Sequence, residues 1–177
     1  MSEKGTVEKV KERQGVFARI QNILTGGYGT KEDLRELDKK VRDYYYSDFA
    51  VLRHRWEEIY LSALNAGQAS YGDDLKKVIQ VIDRVAEKVN RADYGYAGLF
   101  DRKGHIREEE IARIFDLDKG LGGNIREIAD AIKELHNLSE AEDWKDLGVK
   151  VRNVKSLILA FESKWNNREK EFRPLEI

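Results

Sequence analysis

The sequence predicts an all-α protein: an antiparallel helical bundle of four to five principal helices, some unusually long, with a glycine-rich irregular excursion around 93–123. Three observations carry this. Apolar residues recur at steps of three and four through every long segment, which is the spacing of one helix face. No segment alternates apolar and polar residues as a half-buried strand does. The helical runs are punctuated by glycine clusters and by Ser, Thr or Asn followed three residues later by an acid, with the single proline, Pro174, held to the C-terminal end.

The first helix runs from about Thr6, with Val7, Val10, Phe17, Ile20 and Leu24 on one side, and Gly26-Gly27 ends it. Thr30 and Asp33 form a capping box for the second, whose stripe is Leu34, Leu37, Val41, Tyr45, Phe49, Leu52, Trp56, Ile59 and Ala63. The extra step near Tyr44, Tyr45 and Tyr46 resembles a heptad stutter and widens the core face, with hydroxyls expected at its rim. Ser70 and Asp73 open a third helix along Leu75, Val78, Ile82, Val85, Val89 and Ala92. The pattern then breaks. A short helix at about Ile106–Phe115 is expected between the loops Tyr94–Gly98 and Gly120–Gly123, and Asn124 with Glu127 caps a further helix on Ile125, Ile128, Ile132 and Leu135.

The last and organising helix is expected over Glu140–Phe172, opened by a Ser139/Glu142 capping box. Trp144, Leu147, Val151, Val154, Ile158, Phe161, Trp165 and Phe172 form its stripe, with Arg168 at the one remaining stripe position. Leu157, Leu159 and Ala160 lie off that stripe, so this helix is expected to run through the middle of the bundle with neighbours on several sides. Short connectors are expected to make sequential helices antiparallel neighbours.

Composition narrows the function classes. A chain of 177 residues with 41% hydrophobic composition suffices for one core, so a single domain over 1–177 is the expectation. A formal charge of −1 disfavours a generic polyanion binder. With no cysteine, thiol nucleophiles and cysteine-ligated metals are excluded. The charged opening MSEKGTVEKVKERQ does not resemble a secretory signal, and no apolar run reaches the ~20 residues of a membrane span. A cytoplasmic location is expected, and the abundance of Lys, Arg and Glu suits a thermophile.

Candidate chemistry is sparse. The stretch Leu99–Glu110 resembles the latter half of an EF-hand loop at Gly104, Ile106 and Glu110. Leu99 and Lys103 stand where oxygen ligands belong, so a tight turn at Asp101–Gly104 is the expectation. Asp116 and Asp118 are placed to share a divalent ion or, more simply, to shape a turn. Glu109-Glu110-Ile-Ala-Arg113 with Glu127-Ile-Ala-Asp130 resembles in part the EExxE…ExxD pattern with which all-α nucleotide pyrophosphohydrolases of the MazG type hold magnesium, departing from it at Arg113. That resemblance implies Glu109, Glu110, Glu127 and Asp130 as metal ligands. None of His54, His105 and His136 follows a Glu-x-x or Arg-x(4–6) spacing, so the di-iron bundle and HEPN ribonuclease patterns are absent. A helix-turn-helix over 106–138 would present Glu127, Asp130 and Glu134 to phosphates, which disfavours nucleic acid as a partner. Trp165, Arg168 and Phe172, with Tyr94 and Tyr96 as a second aromatic patch, have the composition of a protein interface.

The expectation is therefore a non-catalytic interaction or assembly module, partnered by another protein or by itself, with no cofactor. The alternative is a magnesium-dependent nucleotide pyrophosphohydrolase, and the third reading is a nucleic-acid-binding accessory subunit.

Overall fold

The computed structural model describes residues 3–26, 29–92, 95–96 and 108–172. Among these are five α-helices: α1 Glu3–Gly26, α2 Lys31–Asn65, α3 Gly72–Asn90, α4 Glu108–Glu140 and α5 Leu147–Phe172, with a 3-10 turn, Ala69–Tyr71, leading into α3. The protein is all-α.

Thr30 caps α2 as its spacing requires. Its hydroxyl accepts from the Asp33 amide at 3.1 Å, while the Asp33 carboxylate accepts from the Thr30 amide at 2.8 Å. The α2 stripe is buried at all nine expected positions. Gly67, at φ 77°, then takes the left-handed conformation that turns the chain out of α2.

Four helices form a square. α2 packs on α3 and α4, α5 packs on those same two, and α1 lies along α2 outside the square. The remaining two pairs, α2 with α5 and α3 with α4, are diagonals. Ring contacts span the first diagonal: Phe49–Phe161 at 5.0 Å, Tyr45–Phe161 at 5.7 Å and Tyr45–Trp165 at 5.9 Å. Side-chain pairs fix the directions. Arg53–Asp83 and Trp56–Leu75 show α2 and α3 antiparallel, whereas Tyr45–Asp118 and Glu58–His136 show α2 and α4 parallel. The expectation that sequential helices are neighbours thus fails between α3 and α4, which lie diagonally across the square.

Two boundaries also differ from expectation. Gly120–Gly123 do not form a loop: α4 is helical from Glu108 to Glu140, and the predicted short helix and fifth helix are one rod. Glycine costs about 1 kcal/mol relative to alanine at a helical position, but Ile114, Asp118, Leu121, Ile125 and Ile128 continue one buried face across the run. Burial of that face outweighs local preference. The tight turn predicted at Asp101–Gly104 lies outside the described residues.

The second correction concerns α5. It begins at Leu147, not Glu140, and at ~1.5 Å per residue spans about 39 Å. The Ser139/Glu142 capping box does not form, because Ser139 Oγ donates to the His136 carbonyl inside the last turn of α4. Glu142 and Asp146 take φ of 54° and 58°, so the chain reverses through two left-handed residues with half-buried Trp144 between them. From Leu147 onward every stripe residue is buried, Arg168 included. Leu159 is 40% exposed and Ala160 is exposed, so α5 is one corner of the square and not a central helix.

Candidate functional site

The end of the bundle where α2 begins and α5 ends holds a buried polar node. Arg168 of α5 is fully buried, with Nη2 donating to Asp38 Oδ1 at 2.9 Å and Nε donating to Asp118 Oδ1 at 2.6 Å. Arg42 completes the charge balance. Its Nε lies 3.1 Å from Asp38 Oδ2, and its Nη1 donates to the Ala92 carbonyl at 2.6 Å. Two carboxylates therefore meet two guanidinium groups, the condition under which charges are tolerated away from water. The Tyr96 hydroxyl donates to Asp118 Oδ2, and the Tyr45 hydroxyl donates to the Asp118 carbonyl at 3.1 Å.

Aromatic rings enclose the same guanidinium. The Arg168 Cζ atom lies 4.6 Å from the Phe172 ring centre, 4.8 Å from Trp165 and 5.6 Å from Tyr96. Gly95 sits against Asp38 so closely that a Cβ there would overlap the carboxylate, which explains the glycine. Gly95 and Tyr96 are thereby tied to α2, α4 and α5 together.

Protonation behaviour follows from this enclosure. Burial pushes the Asp118 carboxyl up from its ordinary value despite Arg168 beside it. Burial also disfavours charge on Arg168, but Asp118 and Asp38 outweigh it and hold the guanidinium protonated. Desolvation and the Asp118 charge raise the Tyr96 phenol well above its usual range, and desolvation raises Tyr45 likewise. Arg168 and both phenols are thus fixed donors, groups that tie and orient.

This placement corrects the expected interface. Trp165, Arg168, Phe172 and Tyr96 are indeed brought together, yet all four are fully buried within one chain and present no surface to a partner. Tyr94 lies outside the described residues. Tyr45 is core with its hydroxyl enclosed, while half-buried Tyr44 and exposed Tyr46 flank it, so the hydroxyl expected at the rim is inside. Sequence reasoning missed Asp38 and Asp118 as the counterions. The signal was present, since an arginine on a buried stripe requires buried acids, and Asp38 follows Leu37 on the face shared by Leu34 and Val41.

The resemblance-implied metal ligands are not brought together. Glu109, Glu110, Glu127 and Asp130 all belong to the one continuous helix α4. Glu110 and Glu127 are separated by about 25 Å of helix at ~1.5 Å per residue, beyond the span of one ion or an ion pair. Asp116 is exposed while Asp118 is committed to Arg168, so they share no ion either. The helix-turn-helix expected over 106–138 is likewise replaced by a single rod. Exposed His54 and half-buried His136 both approach the Glu58 carboxylate, at 3.5 and 3.1 Å. No group of three metal-ligating side chains is poised for an ion among the described residues.

A separate open groove of about 570 Å³ runs between the first turns of α4 and the later turns of α5. Ala112, Leu117 and Gly120 supply its apolar lining, and Arg113, Asp116 and Lys164 its charged groups. Arg113 reaches Glu171 of α5 at 2.7 Å. No helix among the described residues is long and apolar enough to cross a membrane. No known protein family, curated protein or solved structure matches the chain.

Proposed function

We propose that this protein is a non-catalytic helical interaction or assembly module, and that the α4–α5 groove is where its protein partner docks. The observation that carries the reading is the character of that groove: a small-residue apolar floor at Ala112 and Gly120 with both signs of charge around it. An amphipathic helix laid in such a groove buries its apolar face and pairs its flanking charges. The node next to it supports the same reading, since its donors and acceptors are turned inward and hold the groove's two walls in register. A cytoplasmic location and a protein partner, including a second copy of this chain, belong to this proposal. Nucleic acid is disfavoured by the near-neutral charge.

The test is affinity isolation from the native cells with three baits: the wild type, Leu117→Lys and Gly120→Phe, each with and without nuclease. A protein retained by the wild type, lost by both variants and indifferent to nuclease is the expected result. Equal retention by all three baits, or no retained protein, overturns the groove as the docking surface. Nuclease-sensitive retention transfers the case to nucleic acid.

A further inference from the structure

The glycines of α4 have no packing reason to be glycine. A Cβ built on Gly122 or Gly123 meets nothing within 4 Å, and one on Gly120 reaches only the mobile end of Lys164 at 4.0 Å. Gly95 and Gly148, by contrast, face atoms that a Cβ would overlap or press. Three of four consecutive positions near the middle of a 33-residue helix therefore weaken the backbone with nothing gained in packing.

What lies N-terminal to that weak point is held on its inner face, where Ile114 is buried in the core, Arg113 pairs with Glu171 and the Tyr45 hydroxyl donates to the Asp118 carbonyl. Its polar and ring contacts to Arg168 and Tyr96 run through two residues. Asp118 is bound by Arg168 and Tyr96, and Phe115 lies 5.8 Å from the Tyr96 ring, ring centre to ring centre. On the other side of this arm lies the open groove toward Lys164, which leaves it space to move. Beyond the glycines, Ile125, Ile128, Ile132 and Leu135 anchor the rest of α4 in the square's core.

We propose that α4 is a jointed helix: its arm, residues 112–119, pivots at Gly120–Gly123 and is latched closed by Arg168 and Tyr96 gripping Asp118 and Phe115. Pivoting releases the latch and the packing of Ile114 and, within α4, breaks the helical hydrogen bonds that span the joint, from the amides of 121–126 to the carbonyls of 117–122, leaving the arm itself helical. It also alters the groove between arm and α5. The joint stands on the backbone and the latch alone, so it holds whether or not a partner docks in that groove.

Residue-resolved amide hydrogen exchange on the full chain tests this. The expected profile has a local minimum of protection at 121–126, flanked by slower exchange at both 115–119 and 128–135. Gly122→Ala/Gly123→Ala, which the open space accommodates, slows exchange at the minimum about fivefold for each substitution. Asp118→Asn, which loosens the latch, speeds it. Because the chain has no cysteine, a second readout is direct: spin labels at Ala112→Cys and Ser163→Cys give a broad or two-peaked distance distribution that narrows in the double-alanine background. A protection profile that declines smoothly toward the start of α4 is ordinary end fraying and overturns the joint. So does a profile with no minimum, or a single narrow distance unchanged by the alanines.

Discussion

At the scale of single residues, Arg168 decides what its neighbours can be. It occupies a stripe position between Trp165 and Phe172 and is as buried as they are, so its charge is tolerable only because Asp38 and Asp118 reach it. Arg168→Met keeps roughly the volume, leaves buried Asp118 with no cation and Asp38 with Arg42 alone, and is expected to cost about 3–5 kcal/mol in urea unfolding. Adding Asp38→Leu and Asp118→Leu to that variant should return much of the loss, because the penalty lies in the unpaired charges; no recovery would place it in the packing instead. A second carboxylate reports through pH. Desolvation pushes Glu162 up, but Lys88 Nζ at 2.8 Å and Arg84 Nη2 at 2.7 Å outweigh it and hold its pKa below the ordinary value. A lowered native pKa means that this stabilisation is present above the unfolded value of 4.5 and is lost as pH falls through the native one. Glu162→Gln should therefore cost about 1 kcal/mol near neutrality and progressively less toward pH 3. A wild-type-to-variant gap that is constant across that range would contradict the assignment.

At the scale of elements, what was legible in the sequence was the face that α2 to α5 bury; what was not legible was where two of them begin and end. Nor was the face of α1, which buries Val16, Ile20 and Ile23 and leaves the expected Phe17 and Leu24 half-buried. The α2 and α5 stripes are buried residue for residue because three-four spacing is a geometric fact about one helix. The α4 boundary was hidden because glycine weakens a helix without forbidding it, and whether the rod continues depends on partners that local sequence does not name. The node was hidden for a related reason: Asp118 joins the buried face only once the helix runs through the glycines. Trp144 was drawn into α5 by its spacing, although Glu142 and Asp146 take left-handed conformations that no glycine announces. The same mutation at two glycines separates the cases. Gly122→Ala, with open space around its Cβ, should stabilise by about 0.5–1 kcal/mol. Gly148→Ala, whose Cβ would lie 2.9 Å from Tyr71 Cε1, should destabilise by about 1–3 kcal/mol, as overpacking does. Thermal unfolding of the two variants reads both signs, and equal effects would remove the distinction drawn between a joint and a tight contact.

At the scale of the whole molecule, four rods share one interior, and at one end of it Tyr96 and Arg168 meet on Asp118. Adjacent residues on α5 can therefore differ entirely in what they mean to the fold. Ile158 is completely buried at the centre of the stripe, whereas Leu159, one step around the helix, is 40% exposed. An aspartate at 158 would place an unpaired carboxylate among Val154, Phe161 and the facing rings, with no counterion such as Arg168 has in Asp118. That desolvation penalty, added to the lost apolar burial, is of the order of the ~5–15 kcal/mol that holds a typical domain together. Ile158→Asp is thus expected to abolish the cooperative thermal transition seen by far-UV circular dichroism. Leu159→Asp should leave stability within about 0.5 kcal/mol of wild type, since an exposed side chain surrenders little on replacement. The pair tests the square arrangement directly. If α5 ran through the middle of the bundle, both aspartates would be buried and both would unfold it; in the square, one residue of rotation separates an unfolded chain from an unaffected one.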